Sequence, residues 1–130
     1  MRRFNFSDRH ELAEMLMAEE IPPLEHNYAK GITHVLVEDD VIKGFFTLSG
    51  KVHSGYPYLM HFCTKRKYRT PKLARTLTSA LVEAVRALGA KKFIINCPLG
   101  KNYLKRVIKY YFKTKPYENK SNHEFTLVEV

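Results

Sequence analysis

At 130 residues, 45% of them hydrophobic and 12% aromatic, the chain has the size and composition of one domain, 1–130, with a core of its own. This composition excludes a disordered segment, and no apolar run approaches the roughly 20 residues that a membrane span needs. The net charge of +9 is uneven. Residues 1–64 hold nine acidic residues against six Lys and Arg, and residues 65–130 hold four against sixteen. The C-terminal half therefore seeks an anion: a nucleic acid, a phosphorylated cofactor or an acidic protein surface.

The first residues, MRRFNFSDRHELAEM, put charges where a secretion signal needs its apolar segment, so no signal is expected. MRRFNF reads as a short first strand. Ser7 or Asp8 then caps a helix, Glu11 is placed to complete a capping box, and Leu12, Met15 and Leu16 form one apolar face. Pro22-Pro23 should end it, and residues 24–31 read as a loop or a short second helix. THVLVEDDVIKGFFTLSG reads as a hairpin turning at Asp39-Asp40, with Gly44 marking a bulge or a close backbone approach. A loop through SGKVHSG leads to YPYLMHFCT, a nearly continuous apolar strand expected at the sheet centre.

The clearest helix spans 71–88. Thr70 is its N-cap, Pro71 its first residue and Gly89 its stop, and Leu73, Leu77, Leu81, Ala84, Val85 and Leu88 share one face. KFIINCP is a buried strand. Asn102 opens another helix, Pro116 closes that segment, and HEFTLVEV is the last strand. The order is β-α-ββ-β-α-β-α-β, an α/β (α+β) arrangement with a central βαβ unit. Cys63 and Cys97 form no CxxC pair and each lies in an apolar run. Two buried free thiols in a reducing cytoplasm are expected.

KRKYRTPK joins the third strand to the long helix and carries Lys65, Arg66, Lys67, Arg69 and Lys72. A helix N-terminus offers free N–H groups and roughly half a positive charge. The junction is thus a phosphate or pyrophosphate site, or else a solvated basic loop.

The hairpin VLVEDDVIKGFFTLSG and the segment HFCTKRKYRTPKLARTLTSALVEAVRALGAKKFIINCP, with Asn102 and the Tyr110-Tyr111 pair, resemble the GNAT N-acetyltransferase superfamily. The resemblance in layout covers nearly the whole chain, and that of the motifs covers roughly residues 34–113. It implies a GNAT-like mixed, mostly antiparallel sheet with flanking helices, and transfer of an acetyl group from acetyl-CoA to an amine. In the family's R/Q-x-x-G-x-G/A motif, Arg69 takes the first position, Thr70 and Pro71 follow, Lys72 replaces the first Gly, Leu73 is the spacer and Ala74 ends it. Lys at 72 can block backbone approach to a pyrophosphate, or can replace it with a charge. The resemblance further implies that strand 59–64, with Phe62, Cys63 and Thr64, pairs with the pantetheine arm, and that Asn102 lies at the cofactor. His61 and Glu38 are the candidate bases and Tyr110 the candidate acid for the leaving thiolate. His61 also reads as a packed strand residue, and both tyrosines as core aromatics.

No Ser/His/Asp triad, P-loop or HExxH occurs, no metal site is expected, and Cys63 reads as core rather than nucleophile. Lys105, Arg106, Lys109, Tyr110, Tyr111, Lys113 and Lys115 would also suit a nucleic-acid surface, less favoured because no base-stacking motif accompanies them. The rival reading keeps the fold without catalysis, as a binding or structural protein. A homodimer is compatible with either.

Overall fold

The computed structural model describes residues 1–21, 31–52, 55–98, 102–120 and 123–130, excepting the side chains of 51–52, 96–98, 102, 116–120 and 123–125. Among the described residues, seven strands form one sheet. They are β1 (Arg2–Arg3), β2 (Ile32–Glu38), β3 (Val41–Val52), β4 (Tyr56–Thr64), β5 (Lys92–Pro98), β6 (Lys113–Lys120) and β7 (His123–Glu129). The helices are α1 (Arg9–Ala18), α2 (Pro71–Ala87) and α3 (Asn102–Tyr111). The sheet order is β1-β2-β3-β4-β5-β7-β6, and only β4 and β5 are parallel. The mixed sheet expected from the sequence is therefore present. Among the described residues, no helix is long and apolar enough to cross a membrane.

Two cores lie on opposite faces of the sheet. Leu73, Leu77, Leu81 and Val85 of α2 and Val107 and Ile108 of α3 pack on Phe46, Phe62, Phe93 and Ile95. On the other face, Leu12, Met15 and Leu16 of α1 cover Val35, Phe45 and Cys63. Leu77, Leu81 and Val85 are fully buried, and each such side chain stabilises the fold by about 1.5–3 kcal/mol. The α2 boundaries follow the sequence signals. The Leu73 N–H donates to Thr70 Oγ1 at 3.1 Å, and Gly89 takes φ 74°. The Gly89 and Ala90 amides close the last turn on the Arg86 and Val85 carbonyls.

Several sequence expectations are corrected. MRRFNF is strand only at Arg2–Arg3 and then turns through a 3₁₀ segment, Phe6–Asp8. The capping box also sits further upstream: Asp8 accepts from the Asn5 N–H at 2.9 Å and holds Arg2 in two bonds of 2.8 and 2.9 Å. Glu11, expected in that box, instead pairs with Lys65. Helix α1 stops at Ala18, before the prolines, because Glu20 at φ 58° turns the chain and the Glu20 and Ile21 amides bond to Met17 and Leu16. Residues 22–30, where Pro22-Pro23 and the second helix were expected, lie outside the described residues.

The expected loop at 49–55 is largely strand, because β3 runs on to Val52. Ser49 Oγ bonds to the Tyr58 N–H and carbonyl at 3.2 and 3.3 Å and bridges the irregular register there. Strand β6 was not expected at all. It is an edge strand rich in Lys, with Pro116 where its register shifts, and edges tolerate both residue types. The turn at Asp39-Asp40 is as expected, both residues having positive φ. So is the close approach at Gly44, where an added Cβ would lie 3.1 Å from the Cys63 carbonyl oxygen. The adjacent Lys43 is the extra residue of a bulge in β3.

Candidate functional site

Strands β4 and β5 run side by side but pair only at Tyr58↔Ile94 and Leu59↔Ile95. Beyond that point each continues on its outer partner, β4 on β3 as far as Thr64 and β5 on β7 as far as Pro98. The two strands therefore part, and Met60–Thr64 of β4 has no ladder partner on β5. A bulge starts the parting. Thr47 and Leu48 face His61 and Leu59, so Met60 is the extra residue of β4, and bulges terminate pairing and re-aim the strand. Phe62, Cys63 and Thr64, expected at the pantetheine arm, lie in this segment. Their side chains point into the protein: Phe62 toward α2, Cys63 toward the Met15 carbonyl, and Thr64 buried beneath Arg69.

The basic junction follows at the mouth of this opening, and much of its charge is answered internally. Lys65 pairs with Glu11 of α1. Arg66 and Arg69 share Glu19, at 3.1 and 2.5 Å. Burial pushes the Glu19 carboxyl up, but the hydrogen bond from Arg66 and the charges of both arginines outweigh it, so it lies below the ordinary value. Arg69 is bound on every side. Its Nε donates to Thr64 Oγ1 at 2.8 Å, and its guanidinium lies 4.0 Å from the centre of the Tyr103 ring. Lys67 and Lys72 make no ion pair among the described residues, and Lys72 is exposed.

At the start of α2, Thr70 is the N-cap, and Leu73 and Ala74 are buried. Pro71 has no N–H. The Leu73 N–H is taken by Thr70 Oγ1 and the Ala74 N–H by the Thr70 carbonyl. Lys72 supplies the remaining amide of the first turn.

The expected catalytic residues are not brought together. His61 is 7% exposed on the α1 face, beside the bonded Thr33 and Thr47 hydroxyls. Its Nε2 is buried without a hydrogen-bond partner among the described residues, and burial lowers its pKa to about 4. Glu38 is at the hairpin tip, half exposed and 3.6 Å from Lys43. It is six β3 positions from His61, about 20 Å along an extended strand. Tyr110 is 82% exposed. Its neighbour Tyr111 turns inward and reaches the Pro71 carbonyl at 3.4 Å. Tyr103, passed over in the sequence, faces the same region beneath Arg69. Its place two turns before Tyr111 on one helix face was the available signal. The side chain of Asn102 lies outside the described residues.

A second concavity, a groove of about 810 Å³ between α2 and the β1–β2 edge, is lined by Arg3, His34, Arg75, Ser79 and Glu83 among others. It lies away from the β4–β5 opening.

No family model matches the chain, and no curated protein does. Solved structures match over nearly the whole length. Ard1 from Thermoplasma volcanium is 14% identical with a TM-score of 0.76, covering 99% of this chain and 96% of that one. A GNAT-family acetyltransferase from Bacillus cereus is 14% identical with a TM-score of 0.77, covering 98% and 93%. A Bacillus subtilis acetyltransferase in complex with CoA is 11% identical with a TM-score of 0.70, covering 97% and 93%. The chain thus has the GNAT acetyltransferase fold, as its sequence resemblance implied.

Proposed function

We propose that the chain is an acetyl-CoA-dependent N-acetyltransferase. The observation that carries this reading is the parting of β4 and β5 at the Met60 bulge, beside the cationic start of α2. An extended amide chain such as pantetheine can lie along β4 where it parts from β5 and add to it as a strand would. Its pyrophosphate then reaches the Lys72 N–H and the side chains of Lys67 and Lys72. In the reaction, the amine nitrogen attacks the acetyl carbonyl, the carbon–sulfur bond breaks and the thiolate takes up a proton. The ammonium proton leaves through water, since the Nε2 of His61 is buried on the α1 face and Glu38 stands at the hairpin tip. Tyr111 and Tyr103 face the α2 start, the pyrophosphate end, and Tyr110 faces solvent, so the thiolate takes its proton from water.

Calorimetry with acetyl-CoA and CoA tests the reading, followed by acetyl transfer to a panel of amines. Micromolar binding is expected, and no binding of either compound would remove it.

One observation favours a binding-only protein. Three of the five junction cations are held by Glu11 and Glu19, and Lys72 stands on the first turn of α2. Lys72→Gly separates the two readings. If Lys72 holds phosphate, CoA affinity drops or barely changes. A clear gain would mean that Lys72 blocks a decayed site.

A further inference from the structure

We propose that Glu19 is a positioning residue for cofactor binding: through Arg66 and Arg69 it holds the junction 65–70, just beyond β4, in the form that receives a phosphate. This rests on the acetyl-CoA reading and extends it to α1, outside the βαβ unit. Glu19 occupies the C-cap of α1, where the helix carbonyls repel a carboxylate. Its direction is fixed by the turn after it. Glu20 adopts φ 58°, a conformation that favours glycine, and the Glu20 and Ile21 amides close on Met17 and Leu16. Two local preferences are thus overridden at consecutive residues, and the result delivers one carboxylate to two arginines some 50 positions later in the chain.

What Glu19 holds is the hinge of the site. Arg69 Nε and Nη2 bond to Thr64, the last residue of β4, at 2.8 Å to Oγ1 and 3.4 Å to the carbonyl. The other face of Arg69 rests on Tyr103 of α3. One guanidinium therefore ties α1, β4 and α3 together next to the α2 N-cap, and its side chain is 23% exposed. This inward arrangement marks Glu19 as a brace rather than a competitor for a phosphate seat. Without the carboxylate, Arg69 would remain sunk in the protein with its charge unanswered.

The test compares wild type, Glu19→Gln and Glu19→Asp by NMR titration with CoA and with pantetheine, which has no phosphate. Glu19→Gln is expected to weaken CoA at least fivefold and leave pantetheine within twofold, and Glu19→Asp to recover part of the loss. Equal weakening of both ligands would indicate general loosening. Tighter CoA binding would make Glu19 a competitor. Either result, or unchanged affinity, overturns the proposal. Amide hydrogen exchange without ligand gives a second reading. Residues 65–70 should exchange faster in Glu19→Gln, and unchanged exchange also overturns it. If wild type itself fails to bind CoA, the acetyltransferase reading falls, and exchange alone decides the positioning.

Discussion

Replacing His61 with Leu should remove a specific part of the protein's acid sensitivity. The imidazole is 7% exposed, its Nε2 has no partner among the described residues, and its pKa is about 4 against 6.5 for the free side chain. The folded state therefore resists protonation that the unfolded chain accepts. Stability is complete above about pH 6.5, is lost as the pH falls through that window, and levels off below about pH 4. Lowering the pKa from 6.5 to about 4 corresponds to about 3 kcal/mol. His34 is also lowered, by burial and then by Arg3, so it adds loss of the same sign. The informative quantity is hence the difference between the two proteins. Urea unfolding at steps between about pH 4 and pH 7 should give a Leu variant as stable as wild type at neutral pH, or up to about 2 kcal/mol more, since an unpaired buried nitrogen is removed. Its advantage should grow by about 3 kcal/mol toward pH 4. Parallel curves would refute the reasoning. Acetyl transfer by the variant should be unchanged, because the buried imidazole does not reach the amine.

Glu20→Gly should stabilise the fold by about 1 kcal/mol, because φ 58° costs any residue with a Cβ, and calorimetric melting should rise by about 3–5 °C. Gly44→Ala should do the reverse. Its Cβ would lie 3.1 Å from the Cys63 carbonyl oxygen and 3.2 Å from Thr64 Cγ2, which costs about 1–3 kcal/mol by overpacking. It should also weaken CoA by displacing the end of β4. Unchanged melting in either variant would count against the corresponding argument.

What the sequence made legible was local. Thr70, Pro71 and Gly89 bracket α2 by the chemistry of helix ends, the Asp39-Asp40 turn places the hairpin, and Gly44 announces a tight crossing. The run KRKYRTPK was correctly read as cationic but not as already partnered. Its partners, Glu11 and Glu19, come from a helix some 50 positions away, and no spacing rule encodes such a pair. Strand β6 escaped notice because an edge strand needs no alternation of apolar residues, and its lysines and Pro116 look like a loop. Of the two tyrosines, the resemblance led to Tyr110; Tyr111 lies inward and Tyr110 in solvent, a difference that adjacent positions in a sequence do not reveal.

The central claim is that the gap between β4 and β5 receives the cofactor. Backbone amide shifts on addition of CoA test it most directly. The largest changes should fall on Met60–Thr64 and Lys72, with little at Arg75, Ser79 and Glu83 along the second groove. Changes confined to that groove, with Met60–Thr64 unmoved by saturating CoA, would contradict it.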